Sequence, residues 1–152
     1  ESYTPTEAGK YYVVATNTNN DVNGNKTNQE KSTECTVSVK ISAADMNLSI
    51  TAPTNGATIA DAALTDSASS SKVEIGTPTW EKSDDGSSGW ASATGNFEQK
   101  FYRATVTLTA KDGFAFGESG DYSSLTVTNG KATSATVSDG SLKLVITFDQ
   151  VQ

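Results

Sequence analysis

One alternating segment, from Phe101 to Phe116, constrains the fold of this chain more than any other feature. Apolar residues stand two positions apart in it, with threonine or arginine between them: Tyr102, Ala104, Val106, Leu108 and Ala110. Because successive side chains of a strand point to opposite faces, this pattern predicts a strand with one buried and one solvent-facing side. Asp112 and Gly113 come next and predict a tight hairpin, since such a pair tolerates positive φ angles. The segment is typical of antiparallel β-structure.

Similar short runs, separated by turn residues, recur along the rest of the chain. We predict strands at residues 11–16, 33–41, 46–51, 101–110, 125–128 and 142–148, and further strands around Val73, Ile75 and Trp80. Between the first two strands, residues 17–32 are predicted to form a long loop around Asn23 and Gly24. No segment has a helical period, so the sequence predicts an all-β sandwich.

The alternation also predicts which side chains form the core. The predicted core comprises Met46, Leu48, Ile50, Val73, Ile75, Trp80, Tyr102, Ala104, Val106, Leu108, Phe114, Phe116, Leu125, Val127, Val137, Leu142, Leu144, Ile146 and Phe148. Cys35 is the single cysteine, so it has no partner for a disulfide within the chain. We predict it to be a small buried strand residue, as free cysteines commonly are.

Composition and motifs argue against several classes of function. The chain contains no histidine, which excludes a Ser-His-Asp or Cys-His arrangement. Its net charge of −7 provides no basic surface for nucleic acid, and no apolar run reaches membrane-spanning length. Asp84 and Asp85 lie in a turn without the spacing of a calcium loop, so we predict no metal site. The sequence therefore predicts a protein that is not an enzyme and has no cofactor.

The beginning of the chain resembles the last two strands of a bacterial immunoglobulin-like (Ig-like) domain. The likeness rests on SYTPTEAGKYYVVATN, in which Gly9 and Tyr11 match a corner where a tyrosine hydroxyl bonds to upstream backbone. Val13 stands where a disulfide-bonded domain has its second cysteine. The resemblance implies that residues 1–43 are the C-terminal hairpin of an incomplete Ig-like domain.

Residues 44–152 resemble an Ig-like repeat module of secreted or cell-surface proteins from Gram-positive bacteria. The similar segments are LSITAPTNGA, GTPTWEKSDDG, FYRATVTLTAKDGFAF, VTNGKATSATV and SLKLVITF. The resemblance implies an Ig-like antiparallel β-sandwich, an extracellular or cell-surface location, and neighbouring modules of the same chain as partners. The first residues indicate an excerpt of a longer protein. An alternative stays open, in which the first hairpin adds strands to the same sandwich and residues 42–45 form an internal turn.

Two functions follow from the resemblance, and two tryptophans separate them. The first is a non-catalytic spacer, stalk or adhesive segment; the second is a carbohydrate-binding accessory module of a secreted glycan-active enzyme. A glycan or a host surface protein is the expected outside partner. Trp80 and Trp90 flank EKSDDGSSG and are the candidate ligand contacts, because indole faces stack on sugar rings. We favour the structural interpretation, in which Trp80 lies in the core and Trp90 folds back toward it.

Overall fold

The computed structural model describes residues 5, 7–21 and 24–152, with side chains described outside residues 17–28. The chain divides into two compact units, Glu1–Val39 and Lys40–Gln152. Strands dominate both units, and the helical elements of the described residues are three short 3₁₀ turns. The predicted all-β class is confirmed.

The first unit consists of two antiparallel sheets of two strands each. Its strands are β1 (Gly9–Tyr11), β2 (Val14–Asp21), β3 (Gly24–Lys31) and β4 (Cys35–Val37). β1 pairs antiparallel with β4, and β2 pairs with β3. The predicted return of the chain is confirmed, since Tyr11 lies opposite Cys35. The prediction of a long loop at residues 17–32 is wrong, because the backbones of β2 and β3 pair through most of this range; Asn23 lies outside the described residues.

Most described side chains of the first unit are exposed. Cys35 is exposed, so the prediction of a buried strand residue is wrong. Tyr12, Val13 and Val14 are 51%, 71% and 46% exposed, and they are the exposed large apolar side chains among the described residues. The Tyr11 hydroxyl donates a hydrogen bond of 2.7 Å to the Glu7 carbonyl, as the tyrosine corner implies.

The second unit is built around a six-stranded sheet. The strands from residue 39 onward are β5 (Val39–Ile41), β6 (Leu48–Ile50), β7 (Leu64–Asp66), β8 (Val73–Ile75), β9 (Thr79–Ser83), β10 (Ala91–Ser92), β11 (Phe101–Ala110), β12 (Phe114–Phe116), β13 (Val127–Thr128), β14 (Lys131–Ser138) and β15 (Ser141–Thr147). The order is β10-β9-β11-β15-β14, and β8 also pairs with β11. Asp139 and Gly140 connect β14 to β15 with φ angles of 50° and 75°, the positive values that a two-residue hairpin turn requires.

Smaller sheets complete the unit. β13, β6 and β7 form one, in which β6 pairs parallel with β13 and antiparallel with β7. β12 pairs with β5. Gly113 has the predicted positive φ, at 85°, yet β12 does not return along β11. The predicted hairpin at Asp112 and Gly113 is therefore wrong, because the turn carries the chain from one sheet to another.

One hydrophobic core joins the inner face of the large sheet to the smaller sheets, in a β-sandwich-like arrangement. Most predicted core residues are buried, whereas Ile75, Phe114, Phe116, Val137 and Phe148 are half-buried and pack at its margin. The core also contains residues that the sequence did not predict: Ile41, Ile59, Ala62, Leu64, Ala93, Phe97, Tyr122 and Val151. Ile41 was assigned to the first module, but it is fully buried here and its carbonyl accepts a 2.6 Å hydrogen bond from the Tyr122 hydroxyl.

Candidate functional site

The two candidate ligand contacts lie on the β9–β10 hairpin, which pairs Ala91 with Lys82 and Ser92 with Glu81. Trp80 on β9 lies opposite Ala104 on β11, and both residues face the core. Alternation then places Glu81 on the outer face of the sheet, together with its β11 partner Arg103. The hairpin thus presents one face to the core and the other to solvent.

Trp80 is a core residue. Its side chain is 5% exposed. The Phe97 ring meets it edge-on at a centroid distance of 5.1 Å, and the Phe148 ring stacks at 5.3 Å with an interplanar angle of 28°. Both aromatic arrangements are favourable ones. An indole held between two rings in this way presents no open face to a sugar.

Trp90 lies on the outer face and not against Trp80. The Arg103 guanidinium carbon is 4.5 Å from the centroid of the Trp90 ring, a cation–π contact. Arg103 Nε also donates a 2.7 Å hydrogen bond to Glu81, which holds the pKa of the Glu81 carboxyl below its usual range. The indole is half-buried. The prediction that Trp90 folds back toward Trp80 is wrong, because its packing partner belongs to the opposite face of the sheet.

The turn between β9 and β10 is organised by Asp85. Its Oδ1 accepts hydrogen bonds of 2.8 Å from the backbone N–H groups of Ser87 and Ser88, and its Oδ2 accepts one of 2.7 Å from the Ser88 hydroxyl. These bonds, the Ser88 hydroxyl first, keep the pKa of the Asp85 carboxyl well below its usual range. Gly86 has a φ of 72°, and a Cβ there would lie 2.8 Å from the Phe101 ring. The carboxylate therefore closes a tight turn and fixes the position of the outer-face residues.

A depression that sequence reasoning missed lies beside this hairpin. Its cavity volume is about 310 Å³, and its walls come from the 3₁₀ turn Ile59–Asp61, the segment that leads into β9, and residues 92–95. Trp80 forms part of the wall. Residues 54–71 carry few large side chains, so no periodic pattern indicated that they fold over the hairpin. Ile59 and Leu64 were the available signals, since both are sizeable apolar residues and both are buried.

Over the described ranges, no cluster of three or more His, Cys, Asp or Glu side chains is placed to hold a metal ion. The same ranges contain no helix that is both long and apolar enough to cross a membrane. No protein-family model, curated protein or solved structure matches the chain.

Proposed function

We propose that this chain is a non-catalytic, extracellular Ig-like segment that acts as a spacer, stalk or adhesive part of a larger bacterial surface or secreted protein. Neighbouring modules of the same chain are its partners. The observation that carries the proposal is the contrast between the two units. The second unit has its own continuous core, whereas no described side chain of the first unit is buried. A unit with its own core that follows a unit without buried side chains suits a chain of consecutive modules.

The surface of the second unit supports a spacer role. Among the described residues, the large apolar side chains classed as exposed, Tyr12, Val13 and Val14, all belong to the first unit. The outer face of the large sheet carries threonines and ion pairs; Thr107 and Lys143, for example, are exposed and lie opposite each other. Binding surfaces are commonly contiguous apolar patches. A polar outer face suits a module that connects others.

Single-molecule force spectroscopy tests the proposal. The chain, tethered through added handles at both ends, should unfold in one cooperative event from the second unit. Residues 40–152 should extend to roughly 37–41 nm of contour length, at about 3.3–3.6 Å per residue. If the chain extends smoothly without such an unfolding event, the proposed role as a spacer or stalk would be contradicted. The Val106→Asp variant, which should lose the core, is the matched control without the event.

Carbohydrate binding is the second candidate, and Trp90 is the observation that favours it. Its ring is half-buried on the outer face of the sheet, and Arg103 covers one side of it. A glycan array probed with the chain and with Trp90→Ala separates the two functions. The spacer proposal predicts no signal above background for either protein. A glycan signal present in the chain and lost in Trp90→Ala would replace the spacer with a carbohydrate-binding module.

A further inference from the structure

The short connection between β13 and β14 is an asparagine followed by a glycine, Asn129 and Gly130. Asn129 is exposed and has a φ of 67°. Its amide Nδ2 donates a long hydrogen bond of 3.4 Å to the Ile50 carbonyl. Asparagine loses its amide most readily when glycine follows it, because glycine has no side chain to hinder the approach of its backbone nitrogen to the asparagine Cγ. The connection is therefore a candidate for spontaneous covalent modification.

Packing around Gly130 leaves no room for another residue. A Cβ atom at this position would lie 2.6 Å from the Ile146 side chain and 3.2 Å from the Ile50 side chain, and the first of these distances is shorter than real Cβ contacts. Ile146 belongs to the six-stranded sheet and Ile50 to the three-stranded one, so the Gly130 backbone is packed between two sheets. A change in the length of the backbone here would therefore disturb the contact between them.

A second exposed Asn-Gly pair, Asn55 and Gly56, shows what distinguishes the first. The Gly56 N–H donates a hydrogen bond of 2.9 Å to the Phe97 carbonyl, the usual length for such a bond. The Gly130 N–H donates to the Val127 carbonyl at 3.4 Å, which is beyond the usual range. Deamidation begins when the glycine nitrogen gives up its proton and attacks the asparagine, so a well-formed hydrogen bond from that N–H slows it. The pair between β13 and β14 should therefore react faster.

We propose that Asn129 is a deamidation site, and that its modification weakens the packing between the two sheets. The Gly130 nitrogen loses its proton to hydroxide and attacks Cγ of Asn129, a new C–N bond closes a five-membered succinimide ring, and Nδ2 takes a proton from water and leaves as ammonia. Water then opens the ring at either carbonyl, which gives aspartate or isoaspartate. In isoaspartate the backbone is one methylene longer, so Gly130 is displaced against Ile146. The site goes beyond the proposed function, since a spacer requires no modification.

Mass spectrometry of the aged chain tests the proposal. After incubation in mildly alkaline buffer, trypsin releases residues 112–131, in which Asn129 is the only asparagine, and residues 41–72, which contain Asn55. Each deamidation raises the mass of a peptide by the difference between an amide and a carboxyl group, and fragment spectra locate it. We expect the peptide 112–131 to deamidate at least about fivefold faster, the factor that corresponds to the net contribution of one hydrogen bond.

A pair of glycine variants links the modification to stability. Asn129→Gly removes the amide and adopts the positive φ at no steric cost, and Asn55→Gly is the matched control at the other exposed pair. In urea, the aged parent and aged Asn55→Gly should each contain a fraction with a lower unfolding midpoint than fresh protein, and aged Asn129→Gly should not. The proposal is overturned if residues 41–72 deamidate as fast as residues 112–131, if the aged and fresh parent unfold at the same midpoint, or if aged Asn129→Gly loses as much stability as the aged parent.

Discussion

Two neighbouring substitutions to aspartate on β11 should have opposite consequences for stability. Val106 is fully buried and lies opposite Leu144, whereas Thr107 is exposed and lies opposite Lys143 on the same pair of strands. Val106→Asp places an unpaired carboxylate in an apolar core. Thr107→Asp places the same group in water beside an ammonium. The two variants differ by one position along the strand, so they share charge, sequence context and distance from the strand ends.

The expected magnitudes are far apart. Burying an unpaired charge costs at least several kcal/mol, against a total stability of about 5–15 kcal/mol for a domain. Thr107→Asp loses up to about 1 kcal/mol of strand propensity and regains about 0.2–1 kcal/mol from the cross-strand pair with Lys143. The difference between the variants should therefore be at least about 3 kcal/mol. With a urea m-value of about 2 kcal/mol per molar, their midpoints should be at least about 1.5 M apart.

Urea titration at pH 7, followed by tryptophan fluorescence, measures this difference. Trp80 reports on the core because it is packed between Phe97 and Phe148. We expect Thr107→Asp to unfold within a few tenths of a molar of the parent, and Val106→Asp to be unfolded or nearly so without urea. Equal midpoints for the two variants would refute the assignment of faces on β11, and with it the placement of the core.

Three further outcomes are expected. The pKa of Asp45 is lowered to about 2, first by the backbone N–H of Ser42 and then by the Lys72 ammonium, so this carboxylate stabilises the fold above about pH 4 and less as the pH falls toward 2. Asp45→Asn should cost about 1–2 kcal/mol at pH 7 after allowance for solvent screening, and acid titrations should show a smaller loss between pH 4 and 2 than the parent. Trp90→Ala should lower the free energy of unfolding by only about 1–2 kcal/mol in urea, since the half-buried indole lies outside the core and an exposed cation–π contact contributes about 0.5–1 kcal/mol; a loss of 4 kcal/mol would place it in the core. Deletion of residues 1–39 should preserve amide-proton dispersion, because the core begins at Ile41, and collapsed dispersion would show that the second unit depends on the first.

The sequence predicted best those strands in which apolar and polar residues alternate along the whole strand. Strict alternation over β11 and β15 predicted both their faces, and Val106, Leu108, Leu142, Leu144 and Ile146 are all fully buried. A strand buried on one face has alternating apolar and polar residues, so its apolar positions show which face packs against the core. This signal is local and requires no knowledge of the partner strand.

Pairing partners were harder to predict, because they depend on residues far away in the chain. Asp139-Gly140 and Asp112-Gly113 are the same dipeptide, and both contain a glycine with positive φ. The first closes a hairpin between β14 and β15, whereas the second releases the chain so that β12 pairs with β5. The turn residues predict where the chain bends. The strand with which the next segment pairs depends on the core, because both strands must pack against it. The pairing of β2 with β3 was not predicted, because the sequence of these two strands has no alternating apolar pattern.

The two tryptophans show that strand pairing determines which face of the sheet a side chain lies on, which the sequence alone did not predict. Small residues around Trp90 indicated only that the indole needed a neighbour, and Trp80 was the nearest large one along the chain. The structure decides otherwise: Arg103, which pairs with Glu81 on the outer face of the sheet, contacts the Trp90 ring. Trp90 therefore falls on the side of Ser92 and Glu81, where the guanidinium of Arg103 lies against its ring. Trp80 is buried in the core, so its ring cannot stack on a ligand. Trp90 contributes little to the core, and part of its surface is exposed. The two tryptophans of one hairpin therefore lie in different environments, so each can be tested by a substitution that spares the other.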